Sequence, residues 1–120
     1  MKLTSTEELV LRLVAQDGDY ELLEWLLQEL VAHFPSSPPQ KVLDIGRESL
    51  KSLLEKSLIE LYRQRHDEDQ KLPPYELVAS DGWDAALENG AWKPDPSAKE
   101  RISAAPTPEG QRRYEGSALR

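Results

Sequence analysis

The sequence predicts a single α+β domain, and three observations carry that expectation. Helical periodicity fills the first third of the chain. Two β-leaning runs flank a polar loop between residues 58 and 79. Prolines and glycines divide the remainder into short elements. The 120 residues are one domain's length. A hydrophobic fraction of 38 % and a charged fraction of 31 %, with a mean hydropathy of -0.64, fit a small globular domain with a polar surface.

The first helix starts where Thr4 or Ser5 serves as N-cap and Glu7 or Glu8 completes a capping box. Leu9, Val10, Leu13 and Val14 recur at helical spacing, and Asp17-Gly18 stops the pattern. A second helix is expected from Asp19, carrying Leu23, Leu26, Leu27, Leu30, Val31 and Phe34 and ending at Pro35. Trp25 lies away from that stripe, packed by the C-terminal segment or by a partner chain. Pro35-Ser36-Ser37-Pro38-Pro39 reads as a loop. An extended stretch over Lys41–Ile45 then leads to Gly46 and a third helix from about Arg47 to Lys56. That helix buries Leu50, Leu53 and Leu54 and turns Glu48, Lys51, Ser52 and Glu55 outward.

From Leu58 to Arg63 the period changes to that of a strand, and Tyr75–Ala79 reads as its hairpin partner. Ser80-Asp81 caps a short helix through Trp83, Ala86 and Leu87 that ends at Asn89-Gly90. Arg101–Ala105 is expected as a final strand. Thr107-Pro108-Glu109-Gly110 opens a terminal helix, with fraying from about residue 116. The expected organisation is a core over residues 1–79 and an extension over 80–120 packed on it.

Composition narrows the function classes. Fifteen Lys and Arg against 22 Asp and Glu give a net charge of -7, which opposes unselective binding to nucleic acid or anionic membrane. With no cysteine there is no disulfide, thiolate zinc site or cysteine nucleophile. No apolar run reaches a membrane span and no signal peptide is recognised, so a cytoplasmic protein is the expectation. The charge is uneven: residues 1–40 carry -5, 41–66 carry +2, 67–96 carry -6 and 97–120 carry +2.

Helix, helix, loop, helix and hairpin is the order of a winged helix-turn-helix domain. Residues 49–63, Ser-Leu-Lys-Ser-Leu-Leu-Glu-Lys-Ser-Leu-Ile-Glu-Leu-Tyr-Arg, resemble the recognition helix and following strand of small bacterial winged-helix regulators. There a leucine-bearing helix is followed by Glu-Lys-Gly-Leu-Ile. Ser57 stands at the glycine position, where a positive φ is costlier without glycine. Thr107–Tyr114 resembles the threonine-x-x-glycine helix start that follows the wing in such proteins. The resemblance covers residues 5–79 and 102–115 and implies a winged-helix-like fold: three N-terminal helices, a β-hairpin wing and short C-terminal helices.

It also implies a role in DNA binding and transcription regulation. The third helix would enter the major groove with Arg47, Glu48, Lys51 and Ser52 near base edges. Arg47 and Lys51 would donate to guanine or phosphate, Ser52 to the backbone. Lys41, Lys56, Arg63 and Arg65 would flank the groove as phosphate contacts. The wing, however, carries His66, Asp67, Glu68 and Asp69, whose three carboxylates repel phosphates by about 1 kcal/mol each at close range in water. The alternative is therefore an acidic protein-binding module (adaptor, antitoxin or immunity-like). Its negative surface at residues 67–95 would meet a basic partner, with Asp67, Glu68, Asp69, Trp83 and Trp92 as binding residues. Core closure is the simpler role for the two tryptophans.

An enzyme is the weakest of the three readings. The paired carboxylates (Glu7-Glu8, Asp17 with Asp19, Asp67 to Asp69) lack apolar flanks that would raise a pKa, and no phosphate loop, nucleophile elbow or zinc spacing is present. No cofactor or metal is expected: His66 with Asp67 and Asp69 reads as a solvated loop, and His33 as a helix-end residue. A domain this small gains from dimerisation, and a homodimer would use the helical stripes at 9–14 and 22–34.

Overall fold

The structure is a computed structural model that describes residues 2–16, 20–65, 75–94 and 100–118, with backbone only for Arg65, Ser117 and Ala118. Helix α1 (Ser5–Ala15) begins with the expected box: the Glu7 amide donates to Thr4 Oγ1 and the Thr4 amide to Glu7 Oε1, both at 3.1 Å. Strand β1 (Glu21–Leu22) precedes helix α2 (Leu23–His33). The second helix therefore starts later than Asp19, which itself lies outside the described residues. Glu21 and Leu22 are extended because they pair with Ala104 and Ser103 of a strand from the far end of the chain.

Helix α3 runs from Pro39 to Glu55, so the extended segment expected over Lys41–Ile45 is helical. Pro39 occupies the first turn, where its fixed φ suits the helix and its missing amide costs nothing. Val42, Leu43, Gly46, Ser49, Leu50, Leu53 and Leu54 then form one buried stripe. Gly46 is a contact residue and not a helix start: a Cβ there would sit 2.9 Å from Leu30 Cδ1 and 3.4 Å from the Trp92 ring. With α3 extended back to Pro39, only residues 34–38 connect it to α2.

Ser57 turns the chain out of α3 with φ 59°, the positive value expected at this position. Strand β2 (Ile59–Arg65) pairs antiparallel with β3 (Tyr75–Leu77), which forms the expected hairpin. Its longer pairing is with β4 (Glu100–Pro106), over seven residue pairs from Ile59↔Pro106 to Arg65↔Glu100. The four-stranded sheet has the order β1-β4-β2-β3. Strand β4 is thus an inner strand of the sheet, between β1 and β2.

Between β3 and β4 lie a 3-10 turn (Ser80–Gly82), the short helix α4 (Trp83–Ala86) and a second 3-10 turn (Asn89–Trp92). Ser80 and Asp81 lie inside the first turn and Gly82 stands at the N-cap of α4 with no side-chain hydrogen bond, so the expected Ser80-Asp81 cap does not form. Helix α5 (Pro108–Ala118) continues past Gly116, where fraying was expected. Thr107 Oγ1 accepts from the Gly110 amide and donates to the Ser57 carbonyl at 2.7 Å. Gly110 packs so close to Leu58 that a Cβ would lie 1.8 Å from its carbonyl oxygen.

The core fills the space between the helices and one face of the sheet. Val10, Leu23, Leu26, Leu50, Leu61 and Ala104 have no accessible surface. Trp92 closes this core at 1 % exposure, its indole donating to the Leu87 carbonyl at 3.1 Å. It is not available to a partner.

Candidate interaction site

The side chains expected to meet DNA are placed by α3 and β2. The outward stripe of α3 carries Lys41, Asp44, Glu48, Lys51 and Glu55, so carboxylates outnumber ammonium groups. Arg47 sits mid-helix and not at the N-terminal end, because α3 begins eight residues earlier. Its Nε donates to the Leu87 carbonyl at 2.9 Å and its other nitrogens reach Asn89 Oδ1 and Asp44 Oδ1. These contacts pin the segment after α4 to α3. Lys51 Nζ lies 3.0 Å from Asp84 Oδ1, and that hydrogen bond and charge raise its pKa.

Ser52 and Lys56 turn the other way, toward α1. Ser52 Oγ donates to Glu7 Oε2 at 2.8 Å and Lys56 Nζ at 2.5 Å. Glu7, 6 % exposed, therefore holds its own helix cap with one oxygen and the end of α3 with the other. Burial pushes its carboxyl up, but Lys56, Ser52 and Thr4 more than offset this and lower it to about 2. Arg63 Nε pairs with Glu100 Oε2 at 3.4 Å. Lys41 is exposed, and the Arg65 side chain lies outside the described residues.

Asp67, Glu68 and Asp69, named above for partner binding, also lie outside the described residues. Trp83 is half-buried against the core, Trp92 is within it, and Trp25 on α2 is 50 % exposed. Among the described residues no cluster of three His, Asp or Glu side chains could hold a metal ion. A cleft of about 360 Å³ between α4 and the sheet is lined by Arg63 paired with Glu100 and Arg101 paired with Glu24, together with Glu88 and Lys93.

The sheet's other face carries a feature that sequence reasoning missed. In the ladder Tyr62 stands opposite Leu77 and Ser103, and Gln64 opposite Tyr75 and Arg101. Side chains alternate along a strand, so these residues share the face turned away from Ile59 and Leu61. Tyr20 joins them from the end of the α1–β1 connection. Its ring stacks on Tyr75 (centroids 3.9 Å apart, planes 9° apart) and meets Tyr62 edge-on (5.0 Å, 85°). Tyr62 donates its hydroxyl to Glu60 Oε2 at 2.6 Å. That bond, burial and the Glu60 charge push its pKa up to about 12. Leu77 is 56 % exposed beside the cluster. Ser103 is fully buried on this face, and among the described residues its Oγ has no hydrogen-bond partner.

A signal for part of this face was present in the sequence. Glu60, Tyr62 and Gln64 hold the outward phase of β2, and Tyr75 and Leu77 that of β3. Nothing local marks Tyr20, whose ring reaches this face from outside the hairpin. No known protein family, curated protein or solved structure matches the chain, so its function is read from its own geometry.

Proposed function

We propose that this chain is a winged-helix-like domain that acts by binding a protein with a basic surface, and not by binding DNA. Support for the winged-helix part comes from the short α2–α3 connection, from the positive φ of Ser57 at the family's glycine position, and from the threonine-x-x-glycine start of α5. One observation carries the functional part. Of the six cations offered to a duplex, Arg47, Lys51, Lys56 and Arg63 each pair with an acid of the same chain, while Lys41 is exposed and the Arg65 side chain lies outside the described residues. Ser52 likewise donates to Glu7.

Releasing those cations to phosphates would bring Asp84 and Glu7, without their ammonium partners, against a polyanion, on a chain whose net charge is already -7. A basic partner meets the opposite field, which steers its approach and favours its register. Titrating a labelled arginine-rich peptide with the chain tests this reading. Saturable binding that weakens with salt is expected, and no binding at about 50 mM salt overturns it.

A further inference from the structure

We propose that the outer face of the sheet, where Tyr20, Tyr62 and Tyr75 cluster beside Glu60 and Leu77, docks an arginine-bearing segment of that partner. The inference rests on the protein-binding reading and gives it a site. Three half-buried tyrosines and an exposed leucine gathered on one sheet face are the residue types that carry binding energy at interfaces. They occur here on a chain with few aromatics, 7 % overall, so their convergence from three separate segments is a property of the fold.

The local charge decides what fits. The Tyr62 hydroxyl fixes the Glu60 carboxylate at the edge of the aromatic cluster. Arg101, the cation on this face, is taken up by Glu24 at 3.4 Å, and Gln64 is neutral. An anion held beside aromatic rings is complementary to a cation that can both ion-pair and lie on a ring. Arginine does both: its planar guanidinium stacks on tyrosine and presents a fork of donors to a carboxylate, whereas lysine offers a compact, strongly hydrated charge. In the sequence, the residues between β2 and β3 include Asp67, Glu68 and Asp69 against Lys71, a charge balance that also favours a basic partner.

The test measures fluorescence anisotropy of two labelled ten-residue peptides, alternating arginine-glycine and lysine-glycine, titrated with the whole chain. The arginine peptide should bind several-fold more tightly than the lysine peptide. Tyr75→Ala and Glu60→Gln should each weaken it about fivefold or more, and Tyr75→Phe should retain it. If Tyr75→Ala fails to fold, Leu77→Ser at its exposed position takes its place, with the same weakening expected. Equal binding of the two peptides, or arginine binding unchanged by these variants but lost on Asp67→Asn, Glu68→Gln and Asp69→Asn, overturns the placement and leaves the protein-binding reading intact. Binding of neither peptide overturns both.

Discussion

Glu7 Oε2 lies 2.5 Å from Lys56 Nζ, which joins the first turn of α1 to the residue that caps the C-terminal end of α3. The same oxygen accepts from Ser52, and the other oxygen caps α1. A buried carboxylate with this many donors is stabilised as the anion. Two residues that the sequence offered as nucleic-acid contacts are thereby part of the scaffold.

The stability of the chain should consequently fall in acid. The Glu7 carboxyl is lowered from 4.5 to about 2 in the fold. Its contribution is thus fully present above pH 4.5 and lost as pH falls toward 2. We expect a loss on the order of 2 kcal/mol, below what the full shift implies because Lys56 is partly solvated. Urea unfolding of the native chain and of Glu7→Gln across that window measures it. The variant should be weaker at neutral pH and lack most of this acid-dependent loss.

Ser57→Gly should stabilise the fold. Ser57 holds φ 59°, a conformation costing a non-glycine residue about 1–2 kcal/mol, partly offset by the larger unfolded-state entropy of glycine. Its carbonyl, which accepts from Thr107, is unchanged by the substitution. A gain of about 0.5–1 kcal/mol is expected, read as a rise of a few degrees in Tm. A lower Tm contradicts it.

Gly110→Ala should act in the opposite direction. The added methyl would meet the Leu58 carbonyl at 1.8 Å, and backbone cannot yield as a side-chain tip does. Helix α5 must shift away from the turn after α3, at a cost of about 2 kcal/mol or more. Denaturant unfolding monitored by circular dichroism measures the loss.

Arg47→Met should destabilise the fold by about 1.5–3 kcal/mol, because it leaves the Leu87 carbonyl with fewer donors and frees Asn89. The fluorescence of Trp92, buried against this segment, should shift to the red as α4 and the following turn loosen. An unperturbed spectrum and Tm would make Arg47 a surface cation after all.

What was legible in the sequence follows a physical division. The Thr4–Glu7 box, the spacing of the α3 leucines and the Thr107 cap on the Gly110 amide are set within a few residues, and each is readable from local spacing; the Ser57 turn is readable through the winged-helix resemblance. The sequence reads Lys41–Ile45 as extended because Gly46 looks like a boundary, whereas the segment is helical. The reason for that glycine, Leu30 and Trp92 pressing on its Cα, is a contact between distant segments. The second helix was begun too early for a similar reason, since β1 exists only through its pairing with β4. The site divides likewise. The basic residues of α3 and β2 were visible as charges, but their partners Glu7, Asp84 and Glu100 come from elsewhere in the chain. The tyrosine face required the ladder that sets Tyr62 beside Leu77 and brings Tyr20 across to Tyr75.

The reading proposed above has Arg47, Lys51, Lys56 and Arg63, each paired within the chain, serve the fold and not a duplex. Its most direct test is a titration of labelled mixed-sequence and genomic DNA fragments with the chain, from about 50 mM salt upward. No binding is expected at any salt. Binding that falls steeply with salt, with a preferred fragment persisting at higher salt, would mean that several of these cations reach phosphates, and would contradict it.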